Sequence, residues 1–249
     1  MRYAAPRCLD AGEAALVVEF GDSVDPSINA SVLALDAALR AAPLGGIIET
    51  VPTYRSLMIH YDPLALARVA LIAHVEALES GAQESAPSVR WIIPCCYEPP
   101  HGEDLAAAGA ALSLPPERVA ALHAGADYRA YMYGFAPGWC YLGGLPAALA
   151  VPRRAAPRGP TPQGAVLIGG GLSLIGADPM PTGWYVIGRT PERLFAPGRE
   201  PSFFVEVGDA LRFEPIDETT FRALEERSAR GEIVARREMI GARPTSARR

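Results

Sequence analysis

A proline-spaced run of arginines is the feature of this sequence best suited to chemistry. Residues 151–164 read VPRRAAPRGPTPQG, and the prolines around Arg153, Arg154 and Arg158 keep the loop extended and stiff. Fixed guanidinium groups bind carboxylates, phosphates or similar anions through two parallel hydrogen bonds. Arg189, in GRTPERLF, adds a further guanidinium after a predicted strand. The alternative interpretation is a loop that faces solvent or a partner protein.

An uncharged aromatic segment could form the walls of such an anion site. Residues 131–146, YMYGFAPGWCYLGGLP, contain five aromatic residues and four glycines. The glycines permit tight turns, and the aromatic side chains supply apolar walls with polar tips. With Trp184 and the arginines, this segment predicts a pocket for a small planar or amide-containing acid. A barrel core or a partner interface remains an alternative, because interfaces are also rich in aromatic residues and arginine.

Several familiar active-site types are excluded by residue type. All 23 basic residues are arginine, so the chain has no lysine for a P-loop or a Schiff base. The GxSxG nucleophile motif and the HExxH metal motif are absent. Cys95 and Cys96 lack zinc-site spacing even with His101 nearby, so the sequence predicts no metal site. Proline and more glycine follow the glycine-rich stretch 164–176, which favours two strands and a turn over a nucleotide-binding loop.

Hydrophobic periodicity predicts a β-α-β-β-α-β order in the first part of the chain, a ferredoxin-like pattern with helices on one face of an antiparallel sheet. The first helix is predicted after Asp25 and Pro26, and its buried face comprises Ile28, Val32, Leu35 and Leu39. The second is predicted from Asp62 and Pro63, with a buried stripe at Leu66, Val69, Ile72 or Ala73, and Val75. The sixth element, VRWIIPCC, could pair with either domain.

A polar linker at 80–88 predicts a boundary after an N-terminal domain at 1–86. Two short helices are then expected, near 103–112 and in LPPERVAALHAG. His123, at the end of the second, has the best functional case among the histidines. Short strands broken by Gly and Pro follow, and they indicate a barrel or sandwich at 87–218. These strands are expected around 127–134, 164–169, 172–175, 184–188, 203–206 and 210–214. The charged segment 219–249 is predicted to start as a helix and fray into a tail.

Net charge and hydropathy exclude two classes of binding partner, nucleic acid and membrane. The formal net charge is −5, which argues against nucleic acid, because phosphate contacts need clustered positive charge. No run reaches the roughly 18 apolar residues of a membrane span, and the N-terminus has no apolar signal core. We therefore expect a cytoplasmic protein that binds neither nucleic acid nor membrane.

Several motifs, in order along the chain, resemble one family. They are LHAGADYRAYMYGFAPGWCYLGGLP, VPRRAAPRGPTPQGAVLIGG, GWYVIGRTPERLF and VEVGDALRFEPI, with EAALVVEFGDSVDPSINASVLAL and VPTYRSLMIHYDP near the N-terminus. The chain is similar over residues 8–216 to allophanate hydrolase subunit 1, also described as the B subunit of 5-oxoprolinase. This is the carboxyltransferase domain family, subdomains C and D, and it includes an inhibitor of a sporulation histidine kinase.

The resemblance implies an N-terminal α/β domain followed by a cyclophilin-like β-barrel. With the ferredoxin-like order of elements in the first domain, the expected fold class is α+β. The resemblance also implies a hetero-oligomeric, ATP-dependent enzyme that opens 5-oxoproline to glutamate. The expected partners are a homologous second subunit, which resembles allophanate hydrolase subunit 2 or the C subunit of 5-oxoprolinase, and a third subunit. ATP would be the cofactor of the complex, and a small amide or lactam its substrate. The alternatives are a kinase-inhibiting binding protein and a carboxyltransferase component of urea or allophanate metabolism.

The family motifs place the expected substrate site on matching positions of this chain, although the resemblance assigns no catalytic residue. The site residues are Tyr131, Gly134, Phe135, Pro137, Gly138, Tyr141, Arg153, Arg158, Trp184 and Arg189. The chain departs from the pattern in PQGAV, LSLIGAD and MPTGW, where relatives commonly have PAGSV, QTGIYP and SPGGW. These changes remove a hydroxyl at Ala165, and an amide, a hydroxyl and a tyrosine near Leu172–Gly176. They leave the exact substrate open.

Overall fold

The computed structural model describes residues 1–79 and 87–240, except for the side chain of Glu79. The chain divides into two compact units, Met1–Ala86 and Pro87–Arg249. Both contain helices and sheets, so the fold is α+β as predicted. Within the described ranges, no helix has the length and apolar character needed to cross a membrane.

Residues 1–79, the described part of the N-terminal unit, contain four strands and two helices. In chain order they are β1 (Arg2–Asp10), β2 (Ala15–Gly21), α1 (Pro26–Ala41), β3 (Ile47–Pro52), β4 (Ser56–Tyr61) and α2 (Arg68–Glu79). The strands form one antiparallel sheet in the order β1-β2-β4-β3. The sequence missed β1, which occupies the edge beside β2. The strand after α2 does not join this sheet, which resolves the alternative that the sequence left open.

Helix α1 confirms its predicted start and buried face. The Asp25 carboxylate accepts hydrogen bonds from the backbone N–H groups of Ser27 and Ile28, at 2.7 and 3.3 Å. These bonds satisfy donors that the first helical turn leaves unpaired. The four predicted core positions of α1 are all buried: Ile28, Val32, Leu35 and Leu39.

The predicted start of α2 was wrong. Asp62 accepts from the backbone N–H of Leu64 at 2.9 Å in a turn, and the helix begins only at Arg68. The later start changes which residues face the sheet. Val69, a predicted core residue, is 75% exposed, and the buried residues of α2 include Leu71 and Val75.

Between residues 87 and 240, the C-terminal unit contains eight strands and three α-helices. The elements are β5 (Val89–Cys95), α3 (Leu105–Leu112), α4 (Pro116–Ala124), β6 (Tyr128–Tyr133), β7 (Cys140–Gly143), β8 (Ala165–Gly169), β9 (Leu172–Gly176), β10 (Tyr185–Arg189), β11 (Ala210–Pro215), α5 (Glu218–Ala229) and β12 (Arg236–Met239). The sequence did not predict β7 or β12. The strand expected at 203–206 is absent: this segment contributes only an isolated bridge between Phe195 and Phe203.

The eight strands form one sheet, and seven of them, from β10 to β5, close on themselves. Its order is β10-β8-β9-β7-β6-β11-β5-β12, and β5 and β11 run parallel. Beyond β5, the backbone of Cys96 pairs with that of Arg189 through N–H···O bonds of 2.8 and 2.9 Å. This pairing joins β5 to β10 and closes the sheet, whereas β12 lies outside on the other half of β5. The closed sheet agrees with the barrel alternative drawn from the sequence.

A carboxylate completes the closure where backbone pairing stops. The backbone N–H of Asp104, just before α3, donates to the carbonyl oxygen of Val186 at 2.8 Å. In return, the N–H of Val186 donates to Asp104 Oδ2 at 2.9 Å. Buried backbone groups need such partners, so Asp104 satisfies the part of the β10 edge that β5 does not reach.

Alternation along the strands separates two hydrophobic clusters. Val166, Ile168 and Ile187 face a large inner core. Their neighbours face outward into a second cluster, which we call the outer aromatic cluster. It comprises Trp139, Ala165, Leu167, Leu172, Leu174, Trp184 and Val186, with Tyr141, Ala136, Ala177 and Met180 packed against it. A sheet with apolar residues on both faces explains why its strands read as nearly continuous hydrophobic runs.

Helix α5 and strand β12 fix the end of the described chain, where the sequence predicted a fraying tail. Phe221 of α5 is buried. Between α5 and β12, the backbone N–H groups of Val234 and Ala235 donate to Glu192 Oε2 at 2.6 and 2.7 Å. Burial raises the pKa of Glu192, although these donors and Arg199 oppose the shift. Residues 241–249 lie outside the described part of the chain.

A substitution at Gly143, the first glycine of the GGLP turn, can test how tightly the aromatic segment is packed. A Cβ atom added to Gly143 would lie 1.9 Å from Cζ of Tyr131, a buried side chain on the neighbouring strand. We therefore expect Gly143→Ala to lower the free energy of unfolding by about 1–3 kcal/mol, as overpacking does. Urea unfolding measures the change. Gly159→Ala, which meets no atom within 4 Å, is the control; equal losses in both variants would contradict the packing argument.

Candidate functional site

The aromatic segment forms the β6–β7 hairpin, whose loop covers part of the outer aromatic cluster. The loop is closed by a hydrogen bond from the N–H of Gly134 to the carbonyl of Trp139, at 3.1 Å. Phe135 has a φ of 71°, an unusual conformation for a bulky residue, and is 65% exposed. Its ring meets that of Trp139 edge-on, with 5.2 Å between centroids. The loop therefore presents one aromatic side chain outward and buries the next.

Gly138 allows the loop to lie close to its neighbours. It has a φ of 77°, and a Cβ atom there would lie 2.5 Å from Cβ of Phe195 and 2.7 Å from Cβ of Ala177. Trp139 follows and is buried against the main chain of Gly176. The indole N–H of Trp139 is buried and has no hydrogen-bond partner within the described residues. An unpaired buried donor is costly, which makes this a natural position for the acceptor of a ligand or partner.

Arg153 lies at the rim of the same cluster. Its guanidinium carbon is 5.6 Å from the centroid of the Trp184 ring, within cation–π range. The Trp184 ring meets that of Tyr141 edge-on at 5.8 Å. Arg153 is exposed and has neither an ion pair nor a hydrogen bond within the described residues. Its guanidinium is therefore available to an external anion, held over an aromatic surface.

The other arginines of the proline-spaced loop contact carboxylates of this chain. Arg158 binds Asp104 at 2.6 Å and also Glu103, and Arg154 binds Asp104 at 3.1 Å. Burial acts to lower the pKa of Arg158, but its bonds to Glu103 and the charge of Asp104 raise it, so the group stays charged. Asp104 thus holds two guanidinium groups and the edge of β10 together.

Arg189 lies at the closure of the sheet. Its guanidinium donates to Glu225 at 3.1 Å and to the carbonyl of Gln163 at 3.0 Å. It also lies 3.5 Å from Nδ1 of His101 and 5.0 Å from the centre of the Phe221 ring. Arg189 is thus already bound by groups from a loop and from α5.

The structure therefore separates the predicted site residues into two groups. Gly134, Phe135, Pro137, Gly138, Tyr141, Trp184 and Arg153 are in or beside the outer aromatic cluster. Tyr131 is buried against Gly143, and Arg158 and Arg189 bind carboxylates. Their role towards a substrate stays a prediction. The sequence did not reveal the carboxylates, because Asp104 and Glu225 have no motif and lie far from their arginines along the chain.

The positions at which the chain departs from the family pattern lie together. Ala165, Leu172 and Leu174 are buried in the outer aromatic cluster, and Met180 packs against it. Apolar side chains at Ala165, Leu172 and Met180 thus occupy places where hydroxyl and amide groups were expected. The cluster is consequently more apolar than the motif implies. A ligand here would be held by Arg153, Trp184 and the loop rather than by side-chain hydroxyl groups.

His123 belongs to a buried hydrogen-bond network inside the closed sheet. Its Nδ1 is 2.8 Å from the Tyr97 hydroxyl and its Nε2 is 2.9 Å from the Ser173 hydroxyl. The ring is fully buried, and this burial lowers the pKa of His123 to about 3. Both neighbours are uncharged, so a neutral imidazole satisfies the network. This geometry indicates a structural role for His123.

A separate cleft of about 730 Å³ opens between helices α3 and α4 and the ends of β5 and β11. Most residues that line the cleft are apolar, and the lining also includes the charged residues Glu98 and Glu117. None of the predicted site residues lines this cleft.

Comparison with known proteins agrees with the fold and the motifs. Residues 6–205 match the family described as the carboxyltransferase domain, subdomains C and D. This chain belongs to that family. It is 32% identical over 229 residues to the B subunit of 5-oxoprolinase from Bacillus subtilis (strain 168), an alignment that spans 87% of this chain and 95% of that protein.

Solved structures show the same architecture. The crystal structure of TTHA0988 superposes with a TM-score of 0.73 at 36% identity over 82% of this chain, which corresponds to only 40% of that longer chain. The urea carboxylase of Kluyveromyces lactis superposes with a TM-score of 0.75 over 94% of this chain and 24% of its own. At 19% identity, this second likeness concerns the fold alone.

The buried imidazole predicts an acid-sensitive fold. In the unfolded chain His123 binds a proton below about pH 6.5, whereas the folded state excludes that proton until about pH 3. Stability is therefore lost as the pH falls through this window, at up to about 1.4 kcal/mol per pH unit from this group. We expect His123→Gln to flatten the dependence of unfolding free energy on pH between 6 and 4 by about this slope. Parallel slopes in urea unfolding would contradict the assignment.

Proposed function

We propose that this chain is a subunit of an ATP-dependent amide or lactam hydrolase complex of the 5-oxoprolinase type. The observation that carries the proposal is the match to the 5-oxoprolinase B subunit over 95% of that protein's length. In this proposal the chain acts with a homologous second subunit and a third protein. The N-terminal unit would be of the ferredoxin-like type and the C-terminal unit cyclophilin-like.

Residue chemistry supports a site shared between subunits. A lactam is a stable amide, so its oxygen must be phosphorylated or otherwise activated, and ATP supplies that energy. This chain has no lysine to hold ATP phosphates in a P-loop. The members of the outer aromatic cluster are buried or half-buried, and we call the exposed residues beside it, Phe135, Pro137 and Arg153, the rim. A second subunit placed over that rim would create the enclosed pocket.

Arg153 is the residue of this chain to which we assign substrate binding. The other arginines of the predicted site already have carboxylate partners, but the Arg153 guanidinium has none within the described residues. The carboxylate of 5-oxoproline would take that place and accept two parallel hydrogen bonds. Trp184 holds the guanidinium at the rim, and the indole N–H of Trp139 lies in the same cluster.

A carboxyltransferase role is the second candidate, and the family description favours it. The same guanidinium would then hold a carboxylated carrier or a urea-derived anion. A kinase-binding surface has less support, because Gly138, Trp139 and Cys140 are buried and the stretch 135–141 exposes only Phe135 and Pro137.

The reconstituted complex tests both the activity and the role of Arg153. We expect ATP-dependent glutamate release from 5-oxoproline only when all three proteins are mixed. Arg153→Met should lower kcat/KM by about 10- to 100-fold, the value of a charged hydrogen bond, without changing the mass of the complex. Arg118→Met, at an exposed arginine on α4, is the matched control and should stay within about twofold.

Each contrary result has a defined meaning. Full activity in the Arg153→Met complex would remove Arg153 from the site but retain the proposed function. An assembled wild-type complex that releases no glutamate would refute the 5-oxoprolinase assignment. Transfer of the carboxyl group to urea from an added carrier that bears carboxybiotin, with release of the biotinylated carrier, would then establish the second candidate.

A further inference from the structure

Three potential metal ligands meet at the closure of the C-terminal sheet. They are the Cys96 thiol, the His101 imidazole and the Glu218 carboxylate, and their ligand atoms all lie within 4.8 Å of one another. Cys96 and His101 are buried, and the side chain of Glu218 is 30% exposed. The three residues come from the segment after β5, the loop before α3 and the first turn of α5. None of the three belongs to the outer aromatic cluster.

Glu218 has one oxygen directed into this cluster. Its Oε1 accepts a hydrogen bond from Arg222, one turn further along α5, and its Oε2 pairs with Nε2 of His101. A metal ion that replaces the imidazole proton would thus be bound by Nε2 and Oε2. Arg222 would remain on the other oxygen and hold the carboxylate in place, as outer partners of metal ligands do.

The surroundings of the thiol favour a cation. The backbone N–H of Glu98 hydrogen bonds to the sulfur of Cys96, a contact that suits a thiolate. Desolvation raises the pKa of Cys96, and the charges of Glu98, Glu218 and Asp217 raise it further. A bound divalent ion would instead favour the thiolate form of Cys96, because a thiol that coordinates a metal ion is deprotonated.

A nucleophilic role for Cys96 fits this geometry poorly. The thiol is fully buried, and a reactive cysteine needs exposure and a stabilised thiolate. Thiolate, imidazole and carboxylate are, however, the three ligand types that zinc binds in proteins. Zinc sites with three protein ligands keep a fourth position for water.

Arg189 is the group that opposes cation binding. One guanidinium nitrogen lies 3.5 Å from Nδ1 of His101, which must carry the ring proton when Nε2 binds a metal. The other terminal nitrogen is already held by Glu225 at 3.1 Å. A small movement of Arg189 towards Glu225 would remove the conflict, and loss of its charge should increase metal affinity.

We propose that Cys96 Sγ, His101 Nε2 and Glu218 Oε2 bind one Zn²⁺ ion, with water as the fourth ligand. Binding releases the thiol proton to solvent and shifts the imidazole proton from Nε2 to Nδ1. The ion would tie helix α5 to the closing bridge between Cys96 and Arg189.

Metal binding by the purified full-length chain tests this site directly. After chelator treatment, titration with Zn²⁺ against a chromophoric competitor should give one equivalent per chain. Co²⁺ in its place should give tetrahedral d–d absorption and a thiolate-to-cobalt charge-transfer band. Bound Zn²⁺ should also raise the melting temperature, because it binds the folded state preferentially.

Matched variants assign the ligands. Cys96→Ser should abolish the charge-transfer band, and Glu218→Gln should weaken Zn²⁺ binding by roughly tenfold or more, the least expected from loss of a first ligand. Cys8→Ser, a thiol of the N-terminal unit, should change neither. Arg189→Met should tighten binding.

Two results would overturn the proposal. One is a wild-type chain that binds no Zn²⁺ and gives no cobalt band. The other is unchanged affinity in Glu218→Gln, whose partly exposed site should tolerate the substitution even if Cys96→Ser fails to fold.

Discussion

The open edge of β10 is the constraint on which the C-terminal unit depends. Closing a sheet leaves backbone groups that must find partners, and here the Cys96 main chain supplies them at one end of the strand. Near the start of β10, at Val186, the carboxylate and N–H of Asp104 do so instead. A charged side chain that replaces a strand needs counter-ions, and Arg154 and Arg158 provide them. Much of the arginine-rich loop is therefore required to close the sheet.

Because Asp104 needs counter-ions, some arginines of the loop support the fold and another remains free at the surface. Removing one partner from a partly buried ion pair leaves an uncompensated charge and costs about 3–5 kcal/mol at full burial. Arg158 and Asp104 are both mostly buried, so their pairing is bound up with the fold. Arg153 instead lies over an aromatic ring and carries its charge to the surface. The same short segment thus supports the scaffold and supplies a free guanidinium.

Predictions of local structure from the sequence were reliable where the types of one or two residues determine where an element starts. Asp25 and Pro26 mark the start of α1 because a side-chain cap and a fixed φ act within one turn. The same pair of residue types at Asp62 and Pro63 instead forms a turn, and α2 starts only at Arg68. Strand β1 was missed because its residues are mostly exposed and lack hydrophobic alternation.

The sequence predicted which aromatic residues of the site lie together, but it did not predict which carboxylates bind the arginines. Gly138 and Trp139 lie within one hairpin, so a local motif places them. The carboxylates that bind Arg158 and Arg189 come from a helix start and from α5, and only the tertiary fold brings them near. Cys96 and His101 attracted attention in the sequence, whereas Glu218 joins them only after α5 packs on the closure.

The closing bridge also bears on the order in which the chain can fold during synthesis. The strands of the N-terminal sheet are contiguous in sequence, so that sheet is complete once residue 61 has left the ribosome. Cys96 must instead wait for Arg189, and β5 must wait for β11 and β12. Contacts of such long sequence separation form slowly, because loop-closure entropy is lost before they form. A ribosome-bound chain therefore exposes both edges of β5 until β11 and β12 have been synthesised, and unpaired strand edges of this kind promote aggregation.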